Sequence, residues 1–325
     1  MFDLKTLFHK DAIIRYLKEM PVIKTSVMDT FFTDRPQNPL PIVGVDWLWP
    51  VVTELPLVRR GAPSISTISE TGAIQFYEPY PLRPKKEVSA MDLNNLQLLP
   101  NASRENWAST KTDYLRRAVR KTCEAMCSVV LSGTLTWPVK LEGGGYENYQ
   151  VAFGNPLTVT PGTAWDDNAA KLKDPFETLQ AMKEKIAEYG YGSDLEIWAG
   201  SSAYSALFAL AEAHVSKAKF TVNIDASGIN VGGYLVKRMV EKYTNPQTGS
   251  AVDKLGEHDV LMIDKSAGHR LVYSAIDDLD ANLLPMPFFV KPVKTDDPSG
   301  WKLIADCKPF PIPNLRAICF ATVTS

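Results

Sequence analysis

The sequence predicts an α+β protein built from several regions rather than one layered core. Three observations lead there. Helical and strand-like periodicities are interleaved without the regular βαβ rhythm of a doubly wound sheet. One stretch, residues 103–132, carries a helical stripe far longer than a small domain needs. The 325 residues also exceed the usual size of a single hydrophobic core.

Taken in order, residues 2–20 place Phe2, Leu4, Leu7, Phe8, Ile13, Ile14 and Leu17 for a short amphipathic helix or two helical turns. Over 21–56, prolines at 36, 39, 41, 50 and 56 exclude a long helix. That segment is rich in Val, Ile, Phe and Trp, so it reads as an extended, adhesive arm. Residues 57–88 read as a long hairpin, with strand-like runs at 65–68 and 73–77 and a turn at Glu70-Thr71-Gly72. Its apolar content is thin (Ile65, Ile68, Ile74, Phe76), and an isolated two-stranded ribbon is marginal in water. The ribbon must therefore rest on its own chain or on a neighbour. Its returning leg, 77–88, sets Pro79, Pro81 and Pro84 beside Arg83, Lys85 and Lys86. Proline fixes φ and removes an amide donor, which stiffens the leg and keeps it from pairing as an open edge.

The helix over 103–132 opens with Ser103 as a cap and Glu105 in its first turn. Leu115, Val119, Cys123, Met126 and Val130 form its stripe, and Gly133 stands where a C′ glycine belongs. At 1.5 Å per residue the helix is about 45 Å long. Beyond it come short strands over 135–159 broken by Gly143-Gly144-Gly145, then a helix to about Tyr189 capped by Asp174 with Pro175 at its first position. A strand at 194–199 runs into a helix capped by Ser201 or Ser202 and ending near Val215. Strands are expected near 219–224, 230–242, 258–263 and 268–274, and a last one in the apolar tail 309–323.

Composition narrows the function. Hydrophobic residues at 45% and charged residues at 22% exclude a disordered chain. A net charge of −2 argues against a protein whose task is to grip phosphates. No apolar run approaches the roughly 18 residues of a membrane helix, and the charged opening MFDLKTLFHKD is no signal peptide. Four cysteines are too few for a disulfide scaffold and fit a reduced cytoplasmic setting during synthesis.

No constellation for catalysis emerges. His9, His214, His258 and His269 lack metal-ligand spacing and read as structural or surface groups. Cys123 and Cys127 share a helix face but continue its core stripe, with no second Cys/His pair at ligand spacing. Ser201 and Ser202 stand at a strand-to-helix turn, but a nucleophile elbow needs glycine where Tyr204 stands. Asp277, Asp278 and Asp280 lack the glycine of a calcium loop, since Asn282 holds that place. The adjacent pairs Asp166/Asp167 and Asp296/Asp297 need not converge on a substrate. No cofactor and no metal is expected.

An adhesive arm, a ribbon that cannot stand alone, a long helix and a mixed α+β region describe a subunit that completes itself on neighbours. The motifs agree. Thr30-Phe31-Phe32-Thr33-Asp34 resembles the double-Phe entry to the arm of the major capsid proteins of tailed bacteriophages. The stretches 59–65 and 82–88 resemble that family's extended loop, which returns on a basic Pro-Lys-x-Glu-Val. Residues 128–135 are similar to the end of its spine helix, and Gly162-Thr163-Ala164-Trp165 before Asp174-Pro175 is similar to its GT-x-W…DP segment. Residues 195–207 resemble a strand and helix of its axial domain, and 309–318 its closing strand. Together, in order, these resemble the lambda-type coat proteins with the Hong Kong 97 capsid fold.

The resemblance implies a non-enzymatic shell protein with an N-terminal arm (1–50), an extended β-hairpin loop (51–90), a peripheral domain with the spine helix (91–185), an axial domain (186–290) and a return to the peripheral domain (291–325). It implies hexamers and pentamers forming an icosahedral head around double-stranded DNA, without sequence-specific binding or a membrane. The partners implied are copies of the chain, a separate scaffolding protein, a portal and a decoration protein. The protein would be made in the host cytoplasm and reside in the virion. Expected inter-subunit contacts are Arg59, Arg60, Ile65, Ile68, Ile74, Phe76, Arg83, Lys85 and Lys86. Plain solvation is the alternative for the three basic residues of the leg. No residue pair matches the Lys–Asn cross-link of some relatives. The competing functions are a hydrolase-like enzyme with an unrecognised site and an encapsulating nanocompartment shell.

Overall fold

In the computed structural model the described residues are 7–8, 10–21, 23–46, 74–214, 221–297 and 299–325. A seven-stranded mixed sheet carries two hydrophobic cores, one on each face. Its strands lie in the order Leu157–Thr158, Ile318–Thr322, Asp259–Asp264, Leu195–Ala199, Tyr234–Arg238, Gly228–Val231 and Val222–Asp225. Side chains alternate across a strand. Ile197, Ala199, Val260, Met262, Cys319 and Ala321 point into one core, whereas Trp198, Leu261, Ile263 and Ile318 point into the other. A sheet covered on both faces needs unbroken apolar runs, which is why 197–199 and 260–263 are apolar throughout.

Among the described residues there are six α-helices: α1 (Lys10–Glu19), α2 (Ser26–Thr30), α3 (Ala90–Gln97), α4 (Asn101–Val130), α5 (Lys173–Ala187) and α6 (Ser201–His214). Helices α5 and α6 cover one sheet face with Leu179, Met182, Ile186, Ala203, Leu207 and Ala211. The other face receives α4 through Leu115, Val119, Cys123, Met126, Cys127 and Val130, so both cysteines lie in the core. The arm's Phe31 and Phe32 are fully buried there, Phe31 against Trp198 at 4.6 Å between ring centroids.

Several boundaries differ from the sequence reading. Helix α4 starts two residues earlier, because the Pro100 carbonyl accepts the Ser103 and Arg104 amides at 3.0 and 3.2 Å. Ser103 therefore lies inside the first turn. Gly133 follows the helix with φ +90° and donates to Val130 O at 2.9 Å. Helix α5 starts at Lys173, which puts Asp174 and Pro175 within its first turn, where an amide has no intrahelical acceptor to lose. At α6 the Glu257 carbonyl, rather than a serine side chain, accepts the Ser202 and Ala203 amides at 3.0 Å each. The single strand expected over 230–242 is a hairpin, its two-residue turn made by Gly232 and Gly233, both at positive φ.

A second, three-stranded sheet sets Gly300–Asp306 between Phe289–Thr295 and Lys85–Ser89. A third joins Gln37–Asn38, Arg270–Ser274 and Pro309–Ile312. Pro292, Pro309 and Pro311 all sit on edge strands of these sheets, where a missing amide costs no ladder bond. Thr134–Lys140 and Tyr146–Ala152 form a hairpin whose tip is the triple glycine.

Candidate functional site

A two-stranded ribbon pairs Val43–Asp46 with Ile74–Tyr77, one strand on either side of the undescribed residues 47–73. Residues 65–68, the partner expected for the second strand, lie outside the described residues, as do Arg59, Arg60, Ile65, Ile68 and His9. Pairing alternates the side chains between two faces. Val43, Val45 and Tyr77 pack on the core. On the opposite face Phe76 stands across from Gly44 and is 69% exposed, with Ile42 at 45% and Leu40 at 61% nearby. These apolar residues line a groove of about 490 Å³ with Pro39, Val272 and Ile312. Ile74 is placed in the same strand by its backbone.

The returning leg pairs with the edge of Gly300–Asp306 through Lys85–Ser89. Its three basic residues each meet a group of their own chain. Arg83 Nε lies 3.0 Å from Asp306 Oδ2, Lys85 Nζ lies 3.1 Å from Glu87, and Lys86 Nζ sits 5.2 Å above the Tyr114 ring.

The arm is held under the spine helix by a charged latch that sequence reasoning missed. Glu124 of α4 accepts the Val27 and Met28 amides at 2.8 and 2.7 Å and the Ser26 hydroxyl at 2.9 Å, satisfying the start of α2. Lys254, buried beside it, pairs with Glu124 and Glu241. One turn earlier on α4, Arg120 donates to both Asp29 oxygens at 2.7 Å, and Arg35 adds a bond of 2.6 Å. Burial pushes the Asp29 carboxyl up, but the bonds from Arg35, Arg120 and Thr25 hold it well below the usual carboxylate range. Only the spacing Arg120/Glu124 hinted at this. Their partners on the arm lie 91 and 96–98 residues away in sequence, and Lys254 lies 130 from Glu124.

Ser201, Ser202, His258 and Asp166 line one open pocket of about 650 Å³. Both His258 nitrogens are engaged elsewhere, Nδ1 with Thr324 at 2.8 Å and Nε2 with Glu257 at 3.1 Å. Asp166 accepts from Ser325. A serine nucleophile needs a base within hydrogen-bond reach, and this imidazole faces other partners. Among the described residues no cluster of three or more His, Cys, Asp or Glu is placed to hold a metal ion, and no helix is long and apolar enough to cross a membrane.

The ribbon thus has one face in the core and an apolar face in solvent. The family model for phage major capsid protein E matches residues 10–323, and the chain belongs to that family. It is a shell-forming major capsid protein of the virion, with a Hong Kong 97-like fold. A protein assigned as the capsid protein of a prophage in Escherichia coli CFT073 superimposes with a TM-score of 0.64 at 14% identity, covering 97% of this chain and 98% of that one. A phage-related protein from Bordetella bronchiseptica RB50 does so with a TM-score of 0.58 at 12% identity, covering 97% and 96%. No curated sequence is similar enough to match.

Proposed function

We propose that copies of this chain close into hexamers and pentamers that build the icosahedral head of a tailed phage around double-stranded DNA. Rings of this kind need heterologous contacts that close. The observation that carries the reading is the solvent face of the ribbon. Phe76, Ile42 and Leu40 form an apolar surface that a monomer has little reason to leave open. We assign Arg59, Arg60, Ile65, Ile68, Ile74, Phe76, Arg83, Lys85 and Lys86 to contacts with adjacent copies. The net charge of −2 suits a shell that encloses DNA without gripping it. Assembly takes place in the host cytoplasm on a separate scaffolding protein, with a portal and a decoration protein as further partners, and involves no catalytic step by this chain.

Sedimentation and electron microscopy of the purified chain, with and without co-expressed scaffold, test this. Particles are expected from the wild type, and from Ser201→Ala and Ser202→Ala alike. Phe76→Ser is expected to leave the subunit folded, within about 0.5 kcal/mol of wild type as for other exposed positions, and to cut the yield of particles sharply. A chain that stays monomeric under every assembly condition would sink the proposal.

A further inference from the structure

Beside the leg 77–88 lies a buried carboxylate that shell formation by itself does not explain. Asp306 ends the strand Gly300–Asp306 and is 3% exposed. Its Oδ2 faces Arg83 Nε at 3.0 Å, while its Oδ1 is buried with no hydrogen-bond partner. An ionised carboxylate in that position bears a desolvation cost on its unpaired oxygen, and a proton there removes the charge.

The surrounding charges leave Asp306 the group that takes the proton. From the loop after Arg270–Ser274, Asp278 faces it, already holding Lys291 Nζ at 2.6 Å and the Asp280 amide at 2.9 Å. From its own chain, Cys307 and Lys308 follow. Lys308 is buried and its ammonium pairs with Asp277. Burial, and then the neighbouring Asp278 charge, push the Asp306 carboxyl up against the pull of Arg83, the Cys307 amide and Lys308. Burial also pushes Asp278 up, but Lys291 and the Asp280 amide bring it below its ordinary value. The two carboxylates are thus driven apart, a pattern that assigns the first proton to Asp306.

Arg83 sits on the leg between two backbone anchors. Leu82 and Cys307 exchange bonds of 2.7 and 3.2 Å, and the Ala305 amide donates to Pro84 O at 2.9 Å. Its side chain is half-exposed, and among the described residues Asp306 is its one ion-pair partner. We propose that Asp306 is a proton switch on the returning leg of the extended loop: ionised, it clamps Arg83 against the subunit's own sheet; protonated, it releases Arg83 to an acidic group of a neighbouring copy. This rests on the assignment of Arg83 to an inter-subunit contact. Arg83 favours the ionised carboxylate, so by linkage a protonated Asp306 holds Arg83 less tightly.

Hydrogen exchange of the amides of residues 82–89 in the soluble chain, from pH 7.5 to 4.5 and corrected for intrinsic rates, tests the switch. Wild type is expected to exchange roughly threefold faster at Leu82, whose amide is bonded to Cys307 O, once Asp306 is protonated, the loss of one half-exposed ion pair. Asp306→Asn is expected to show the fast rate at every pH. Flat exchange in wild type overturns the switch even if the variant fails to fold, and so does an Asp306→Asn variant with wild-type pH dependence. The destination of Arg83 is read separately, from particle yield at acid pH. If Arg83→Ala assembles there as well as wild type while the exchange step persists, the clamp stands and the inter-subunit contact is wrong.

Discussion

His269 is buried against Phe32, and its tautomer follows from its neighbours. The Asn314 amide donates to Nδ1 at 3.0 Å, so Nε2 carries the proton and donates to Asp264 O at 3.0 Å. Burial lowers its pKa from 6.5 to about 4. Between those values the unfolded chain binds more protons, so stability falls as the pH falls through that window. The full loss is about 3 kcal/mol for a shift of this size. Urea midpoints at pH 7 and 4.5 should differ more for wild type than for His269→Gln, and equal differences would remove His269 from the cause. Glu124 is the second residue whose surroundings set its role. Glu124→Ala leaves Lys254 buried with one partly exposed carboxylate and strands two amides of α2. It should cost about 3–5 kcal/mol in urea unfolding, as removing one partner of a buried pair does. A loss below 1 kcal/mol would mean that the arm is held by its phenylalanines alone.

Elements were legible where a local pattern was complete. The stripe from Leu115 to Val130 placed α4, and Gly143-Gly144-Gly145 marked the tip of the hairpin after it. Other signals stood in the sequence and went unread. Ser89 and Asp92 form a capping box that starts α3, with bonds of 3.2 and 3.0 Å. Gly232-Gly233 between two apolar runs marks a tight hairpin turn. At the end of α4 the need for glycine is steric as well as conformational. A Cβ on Gly133, which has φ +90°, would lie 2.1 Å from Gly154 O. Gly133→Ala should therefore lower stability by at least about 2 kcal/mol. Thermal melting checks this, and an unchanged midpoint would show that the 154 backbone gives way freely.

At the scale of the whole molecule, Asp46 and Ile74 are direct cross-strand partners, so the chain between them can be removed and the ends rejoined by a tight turn. Replacing residues 47–73 by such a turn should preserve the urea midpoint and abolish particles. Particles of normal size from that variant would take the extended loop out of the assembly contacts. By itself the sequence determined the α+β class, the spine helix and the likeness to phage coat proteins. Each of those rests on periodicity or on motif order along the chain, which covalent geometry makes readable. Tertiary structure alone decided that 74–77 pairs with 43–46, that Glu124 caps α2 and meets Lys254, and that Asp306 keeps one oxygen unpaired. These depend on which distant groups close packing brings together, and no local pattern encodes a partner roughly a hundred residues away.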